Sequence, residues 1–151
     1  MSVLVLLDAG PLGMITNPGA SAKSEECKLW FESALLKGLR FVVPDITDYE
    51  VRRELLRADK TRGVARLDAL KALLAYHPIS TSVLLRAAEF WAKARKLGRQ
   101  TADDASLDAD MILVAHAAVL AQGGDQPIIA TTNVRHLDLF ADARHWNDVG
   151  G

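Results

Sequence analysis

The chain has 151 residues, half of them hydrophobic, so it is long enough to bury a sizeable core. Its 18 basic and 19 acidic residues leave a formal net charge of -1, which excludes binding to nucleic acid through the overall field of the protein. One cysteine, Cys27, excludes an intrachain disulfide, and no basic region precedes the apolar N-terminal run as a secretory signal would require. We therefore predict a cytoplasmic protein with no membrane span, since no stretch approaches roughly 18 uncharged apolar residues.

Strand and helix patterns alternate along the chain. Residues 3–7 form an unbroken apolar run, typical of a parallel strand buried on both faces, and Asp8 and a predicted glycine-proline turn follow it. Further strands are predicted over 40–44, 76–80 and 127–133, with a last short strand near 145–149. Helices are predicted over 22–39, 48–58, 63–75, 82–97 and 111–122, and Gly63 separates the second from the third. The alternation predicts one α/β domain over residues 1–151, with a mostly parallel sheet covered by helices on both faces.

Polar residues follow three of the predicted strands. Asp8 comes directly after the first strand, and Asn133 ends the last confident one. Asp45, Asp48 and Glu50 follow the second strand. In open parallel sheets ligands bind beyond the carboxyl ends of the strands, so these side chains predict a polar crevice at that edge.

Local structure offers another explanation for two of these residues. Asp8 is also a typical helix cap or turn former. Thr47 and Glu50 form the T-x-x-E pattern of a capping box, and Ile46 with Val51 would complete a hydrophobic staple. That signature accounts for Glu50 without any chemistry, so position alone leaves both interpretations open.

A dense acidic stretch precedes the apolar helix predicted over 111–122. Asp103, Asp104, Asp108 and Asp110 are four carboxylates within eight residues, more than helix capping needs. They repel one another unless they are solvated, protonated or neutralised by a cation. Asp110 is predicted to face inward at the mouth of the helix, and Asp108 is the better candidate for the cap.

The residue types at these positions suit a hard divalent cation. Mg²⁺ and Mn²⁺ prefer carboxylate oxygens and keep several waters for a phosphate group. Thr131 and Asn133, in the TTN segment, either form an ordinary turn or hold water or phosphate near such a cation. Carboxylates from separate strand ends therefore indicate metal-assisted attack of water on a phosphodiester.

Four segments together resemble the PIN domain family, the metal-dependent ribonuclease fold of VapC-type toxins. They are LLDAGPLG, VPDITDYEVRREL, LDADMILVAHA and IIATTNVRHLDLF, and in this order they cover nearly the whole chain. Each motif is short and degenerate, but their order and spacing are more specific. The resemblance implies a PIN-like three-layer α/β/α sandwich and a Mg²⁺- or Mn²⁺-dependent endoribonuclease, the toxin of a toxin–antitoxin pair.

The resemblance also implies roles for individual residues. The three acidic positions of the family fall on Asp8, Glu50 and Asp110, which would be catalytic and would bind the metal, with Asp108 as a further metal ligand. A fourth family position, often Asp, is Asn133 here, and this change would weaken or remove a second metal.

Two neighbouring positions complete the comparison with the family. Thr131 matches the usual threonine and would support the site together with Asn133. Ala9 stands where the family often has a hydroxyl residue just after its first Asp.

Several partners are expected. RNA phosphates need Lys or Arg, and Arg52 and Arg53 lie beside Glu50, while a second basic run covers 91–99. The resemblance implies a small antitoxin that inserts a basic or aromatic group into the acidic crevice, and a homodimer to which the helix at 22–39 contributes a face. The four histidines are scattered and predict no zinc site.

Other interpretations compete with the nuclease. A haloacid-dehalogenase pattern would need a second Asp two residues after Asp8, where this chain has Gly10. A PIN-like module that binds RNA or a protein without cleaving remains open, because Asn133 carries no charge.

Overall fold

The computed structural model describes residues 2–19, 21–98 and 104–150 of the chain. Its sheet has five strands: β1 (Val3–Leu7), β2 (Arg40–Pro44), β3 (Ala75–His77), β4 (Gln126–Thr131) and β5 (Ala143–His145). They lie in the order β3-β2-β1-β4-β5, and every neighbouring pair is parallel. The central strand β1 and its neighbours β2 and β4 therefore end at one edge, as the sequence predicts.

Helices cover both faces of this sheet. The structure has α1 (Ala9–Thr16), α2 (Ala22–Leu36), α3 (Asp45–Arg57), α4 (Thr61–Leu73), α5 (Thr81–Lys96), α6 (Asp104–Gln122) and α7 (Val134–Leu137), with a 3-10 turn at Trp146–Asp148. Along β1, Leu4 and Leu6 pack against α5 and α6, whereas Val5 and Leu7 pack against α1 to α4. The period of two along an extended strand gives β1 two apolar faces. The predicted three-layer α/β/α sandwich is confirmed.

The glycine-proline turn predicted after β1 is wrong, because residues 9–16 form α1. Pro11 is the third residue of this helix, where its missing N–H removes no intrahelical hydrogen bond, so it does not interrupt the helix. Leu12 and Ile15 are on the buried face of α1. The chain therefore passes from β1 into α1 at Asp8.

The boundaries of α3 and α4 also differ from the prediction. The capping box is wrong, since α3 begins at Asp45, Pro44 is its N-cap and the Thr47 hydroxyl donates to the Pro44 carbonyl. Gly63 lies inside α4, and the two helices are separated by residues 58–60 instead. A Cβ at Gly63 would lie 2.7 Å from a methyl group of Leu55, so this glycine permits close packing of α3 against α4.

Helix α6 begins at Asp104, seven residues before the predicted start. Asp108 and Asp110 are therefore inside the helix, while Asp103 and Arg99 lie outside the described residues. The window Ala105–Gln122 is long and apolar enough to span a membrane by length and composition alone. It carries two aspartates, however, and α6 packs through buried residues against α5 and the sheet, as the core helix of a folded domain does.

Two histidines form a pair at the end of the edge strand β3. His77 ends β3 and His116 lies in α6, and their Nδ1 atoms are 2.8 Å apart, so one Nδ1–H donates to the other ring. His116 is fully buried, and within the described ranges its Nε2 has no hydrogen-bond partner. Burial, and then the neighbouring His77, lowers the pKa of His116 to about 4.

This pair predicts an acid-sensitive contribution to stability. Because the folded pKa of His116 lies below its unfolded value of 6.5, the contribution is present above pH 6.5 and is lost as the pH falls toward 4. Between about pH 7 and about pH 5 the free energy of unfolding should fall by about 2 kcal/mol more in the wild type than in His116→Leu. Urea unfolding at both pH values measures this difference. Equal losses in the two proteins would contradict the assignment.

Candidate functional site

A pocket of about 230 Å³ lies beyond the carboxyl ends of β1 and β4. The start of α1, one side of α3, the first turns of α6 and the β4–α7 connection form its walls. The lining residues are Asp8, Ala9, Gly10, Glu50, Ser106, Asp110, Thr132, Asn133 and His136. Three carboxylates from three separate elements therefore face one small space.

Asp8 is the most firmly held of these carboxylates. Its Oδ1 accepts a hydrogen bond of 2.7 Å from the Ala9 backbone N–H and so caps α1. Its Oδ2 accepts one of 2.7 Å from the Thr131 hydroxyl. Burial raises the pKa of Asp8, and these two hydrogen bonds oppose that rise. Asp8 is thus both a helix cap and a buried carboxylate aimed at the pocket.

Glu50 and Asp110 both have raised pKa values in this pocket. Burial, and then the negative charge of Asp8, raises the pKa of Glu50 to about 7. The same two causes raise the pKa of Asp110 to about 7. Arg53 opposes the rise at Glu50, but it does not cancel it. Without a cation the pocket therefore carries acidic groups that burial and mutual repulsion keep partly protonated near neutral pH.

This donor set fits a hard divalent cation in its chemistry and charge. Oxygen ligands suit Mg²⁺ and Mn²⁺, and a positive ion would relieve the repulsion that raises the pKa values of Glu50 and Asp110. Asp8, Glu50 and Asp110 are the residues that would hold it, with water in the remaining positions. The fit is one of donor chemistry and charge, because across the described parts of the chain no three side chains of His, Cys, Asp or Glu are grouped closely enough to hold a metal ion.

The two supporting residues of the TTN segment lie at different depths. Thr131 is fully buried, and besides donating to Asp8 its hydroxyl accepts from the Asn133 backbone N–H at 2.9 Å. Asn133 is exposed and begins α7, but its side chain makes no capping hydrogen bond. Thr131 therefore orients Asp8, and the Asn133 amide lines the pocket.

Sequence reasoning missed three residues of the pocket: Ser106, Thr132 and His136. Nδ1 of His136 lies 3.5 Å from Oδ2 of Asp110. The signal was present, because His136 follows Asn133 by one helical turn at the end of a strand that was already placed at the site. Close packing explains why residue 10 is a glycine, since a Cβ there would lie 2.8 Å from the Thr132 hydroxyl.

The structure does not bring Asp108 to this pocket. It is exposed in a groove between α5 and α6, which Leu84 and Trp91 also line. Two residues along a helix turn the side chain by roughly 200°, so Asp108 and Asp110 cannot both face the pocket.

Arg52, predicted to contact RNA, is committed to the fold instead. It makes a bidentate salt bridge to Asp48 with distances of 3.2 and 3.0 Å, and a second salt bridge of 2.7 Å to Asp68 of α4. The Asp48 side chain is only 9% exposed, and Lys71 of α4 lies 3.7 Å from it. Arg53 has no salt-bridge partner in the part of the chain that the structure describes, and its guanidinium lies over the Tyr49 ring.

Replacing Arg52 should therefore affect stability rather than RNA binding. Arg52→Gln leaves the nearly buried Asp48 with a weaker counterion, and we expect the free energy of unfolding to fall by about 2 kcal/mol. Asp68→Asn removes only an exposed partner and should cost less than about 0.5 kcal/mol. Urea unfolding and RNA-binding titrations of both variants distinguish the two roles. A stable Arg52→Gln protein with weakened RNA binding would restore the predicted role.

Solved structures with the same fold are known, although no family model and no curated protein matches the chain. VapBC2 from Rickettsia felis aligns over 95% of this chain and 98% of its own at 14% identity, with a TM-score of 0.68. VapC20 of Mycobacterium tuberculosis, a sarcin-ricin loop cleaving toxin, aligns over 93% and 98% at 15% identity, with a TM-score of 0.67. VapBC-1 from nontypeable Haemophilus influenzae aligns over 96% and 99% at 17% identity, with a TM-score of 0.66. The predicted PIN fold is confirmed.

Proposed function

We propose that this protein is a Mg²⁺- or Mn²⁺-dependent endoribonuclease and the toxin of a toxin–antitoxin pair. The observation that carries the proposal is that Asp8, Glu50 and Asp110, from three separate elements, face one pocket. Like charges repel, so such a pocket cannot hold a phosphodiester unless a cation stands between them. The shared fold with VapC20, a sarcin-ricin loop cleaving toxin, supports the same conclusion.

A bound divalent cation would supply activation of water and stabilisation of the charge that develops on the phosphate. The protein's own residues perform the remaining tasks. Asp8 is held still by Ala9 and Thr131, which fixes one carboxylate oxygen toward the pocket. Glu50 and Asp110 accept hydrogen bonds from the attacking water and orient it, and the Asn133 amide donates to a phosphate oxygen.

The proposal extends to two protein partners. A small antitoxin would insert a basic or aromatic group into the acidic pocket, in keeping with the VapBC complexes among the structural neighbours. A homodimer would use α2, whose Leu29 and Leu36 are 64% and 90% exposed. These leucines are seven residues apart and so lie on one face of the helix, where together they offer apolar surface to a second chain.

Cleavage of a mixed RNA pool tests the proposal. Purified protein with Mn²⁺ should fragment RNA, leave DNA of the same sequence intact and lose all activity in EDTA. Asn133, which lacks the charge of the usual fourth acidic residue, favours a second candidate, a module that binds RNA without cutting it. RNA that is bound but never cleaved in Mn²⁺ would decide for that candidate.

A further inference from the structure

The pocket can hold a phosphate group but not the nucleosides attached to it. Its volume of about 230 Å³ lies below the roughly 300–1,000 Å³ of pockets that enclose small organic ligands. An RNA strand with its scissile phosphate inside must therefore place the flanking bases on the rim. Glu50 makes α3 one side of this rim, so the exposed residues of α3 next to Glu50 are a surface that a flanking base can reach.

An exposed aromatic ring and an arginine occupy that surface. Tyr49 is 58% exposed, which is unusual for a large ring, and Cζ of Arg53 lies 5.2 Å from its centroid. The two residues are one helical turn apart, and Arg53 projects between Tyr49 and Glu50 around the helix. The positive charge of Arg53 opposes the rise that burial and Asp8 cause in the pKa of Glu50, so its field reaches the pocket.

Arg53 also differs from the neighbouring Arg52 in its salt bridges. Within residues 2–19, 21–98 and 104–150, no carboxylate lies within salt-bridge distance of Arg53, whereas Arg52 makes salt bridges to Asp48 and Asp68. A guanidinium that lies over an exposed ring keeps N–H groups available to a phosphate, and the exposed part of the ring stays available to a base.

We propose that Tyr49 and Arg53 form a stacking step that holds the nucleotide next to the scissile phosphate of single-stranded RNA. The inference rests on the proposed function, because it places the RNA by the acidic pocket. Unpaired bases stack on aromatic rings and on guanidinium planes, and every base offers such a face. Tyr49 is a positioning residue in this account, since it holds the substrate and takes no part in the chemistry.

The chain carries a matched control. On α5, Cζ of Arg95 lies 5.1 Å from the Trp91 ring centroid, and Trp91 is 38% exposed. This second aromatic–arginine pair lies by the groove between α5 and α6 rather than at the acidic pocket. A general affinity of such pairs for RNA would appear at both places, whereas the proposed stacking step exists only at Tyr49.

The test compares wild type, Tyr49→Leu, Tyr49→Phe and Trp91→Leu. Binding of a fluorescein-labelled single-stranded RNA is measured by anisotropy with Ca²⁺, a divalent cation that also takes oxygen ligands, in place of Mn²⁺, and single-turnover cleavage is measured in Mn²⁺. Tyr49→Leu should raise Kd roughly fivefold to thirtyfold, while Tyr49→Phe and Trp91→Leu stay within about twofold of wild type. In cleavage, Tyr49→Leu should raise the protein concentration that gives the half-maximal rate by a similar factor and change the maximal single-turnover rate little. Circular dichroism checks that each exposed-site variant is folded.

The possible results separate the inference from the proposed function. If wild type binds and cleaves RNA and Tyr49→Leu does so equally well, the stacking step is overturned and the nuclease stands. If Trp91→Leu weakens binding as much as Tyr49→Leu, the placement beside Glu50 is overturned. If wild type binds no RNA, both are overturned. Loss in Tyr49→Leu with rescue in Tyr49→Phe supports the stacking step.

Discussion

Asp110→Asn is expected to slow RNA cleavage by at least about 100-fold, whereas Asp108→Asn should leave the rate within about twofold of wild type. The two aspartates lie two residues apart on α6, but only Asp110 lines the acidic pocket. Asparagine is nearly isosteric with aspartate, so the substitution removes a charge and little volume. Single-turnover cleavage of one RNA substrate in Mn²⁺ measures the effect.

Asp108→Asn is a demanding control because it changes the same residue type on the same helix. It alters the net charge by the same amount as Asp110→Asn, so a general loss of electrostatic balance would affect both proteins. Equal loss in both variants would mean that the whole acidic start of α6 acts on the reaction. Equal retention would remove Asp110 from the catalytic set.

Glu50→Gln is expected to stabilise the protein in the absence of divalent cations. The folded pKa of Glu50 is about 7, above the ordinary value of 4.5, so its ionised form destabilises the fold above pH 7. At about pH 8 the variant should gain about 1–2 kcal/mol in the free energy of unfolding, and this gain should vanish as the pH falls toward 4.5. Denaturant titrations in EDTA at several pH values measure it.

Mn²⁺ should reverse the order of the two proteins. A ligand that binds only the folded state stabilises it by about 2.7 kcal/mol at 100 times its Kd, and wild type should gain far more than Glu50→Gln. Glu54→Gln on the same helix is the control, because Glu54 is an exposed partner of Arg57 and its loss should matter little. A Mn²⁺ response that is the same in wild type and Glu50→Gln would remove Glu50 from the metal site.

Much of the site was predictable because the polar residues follow apolar strand runs. Parallel strands end at one edge of the sheet, and that rule places Asp8, the residues after β2 and the TTN segment together before any coordinates are known. The apolar runs 3–7 and 40–44 have the bounds that the sequence predicts. The apolar runs thus predicted both the strands of the sheet and the edge at which the pocket forms.

The remaining differences depend on where helices start. The capping box at Thr47 fails because α3 begins at Asp45, three residues before the predicted start, so Glu50 is free to face the pocket. The start of α6 decides which of Asp108 and Asp110 points inward, and capping patterns locate such starts only to within a turn. The same uncertainty hid α1, since proline in a first turn looks like proline in a loop.

Contacts between residues far apart in the sequence could not be predicted from local sequence patterns. Arg52 is held by Asp68, sixteen residues away on another helix, and the pair His77 and His116 is separated by 39 residues. No periodicity relates such residues, because their distance is set by how α3, α4, β3 and α6 pack. The same packing leaves Arg53 outside the salt bridges that hold Arg52, and near enough to Glu50 for its charge to act there.

The most direct test that the acidic pocket both binds the metal and cleaves RNA is a Mn²⁺ titration of wild type and Asp8→Asn. Bound Mn²⁺ and the RNA cleavage rate are recorded in the same samples. Asparagine keeps an oxygen that can accept from Ala9, so the cap of α1 survives while the charge is lost. In wild type the cleavage rate should rise in step with bound Mn²⁺, and Asp8→Asn should lose both. Cleavage that persists undiminished in Asp8→Asn, or in EDTA, would place the chemistry somewhere other than this pocket.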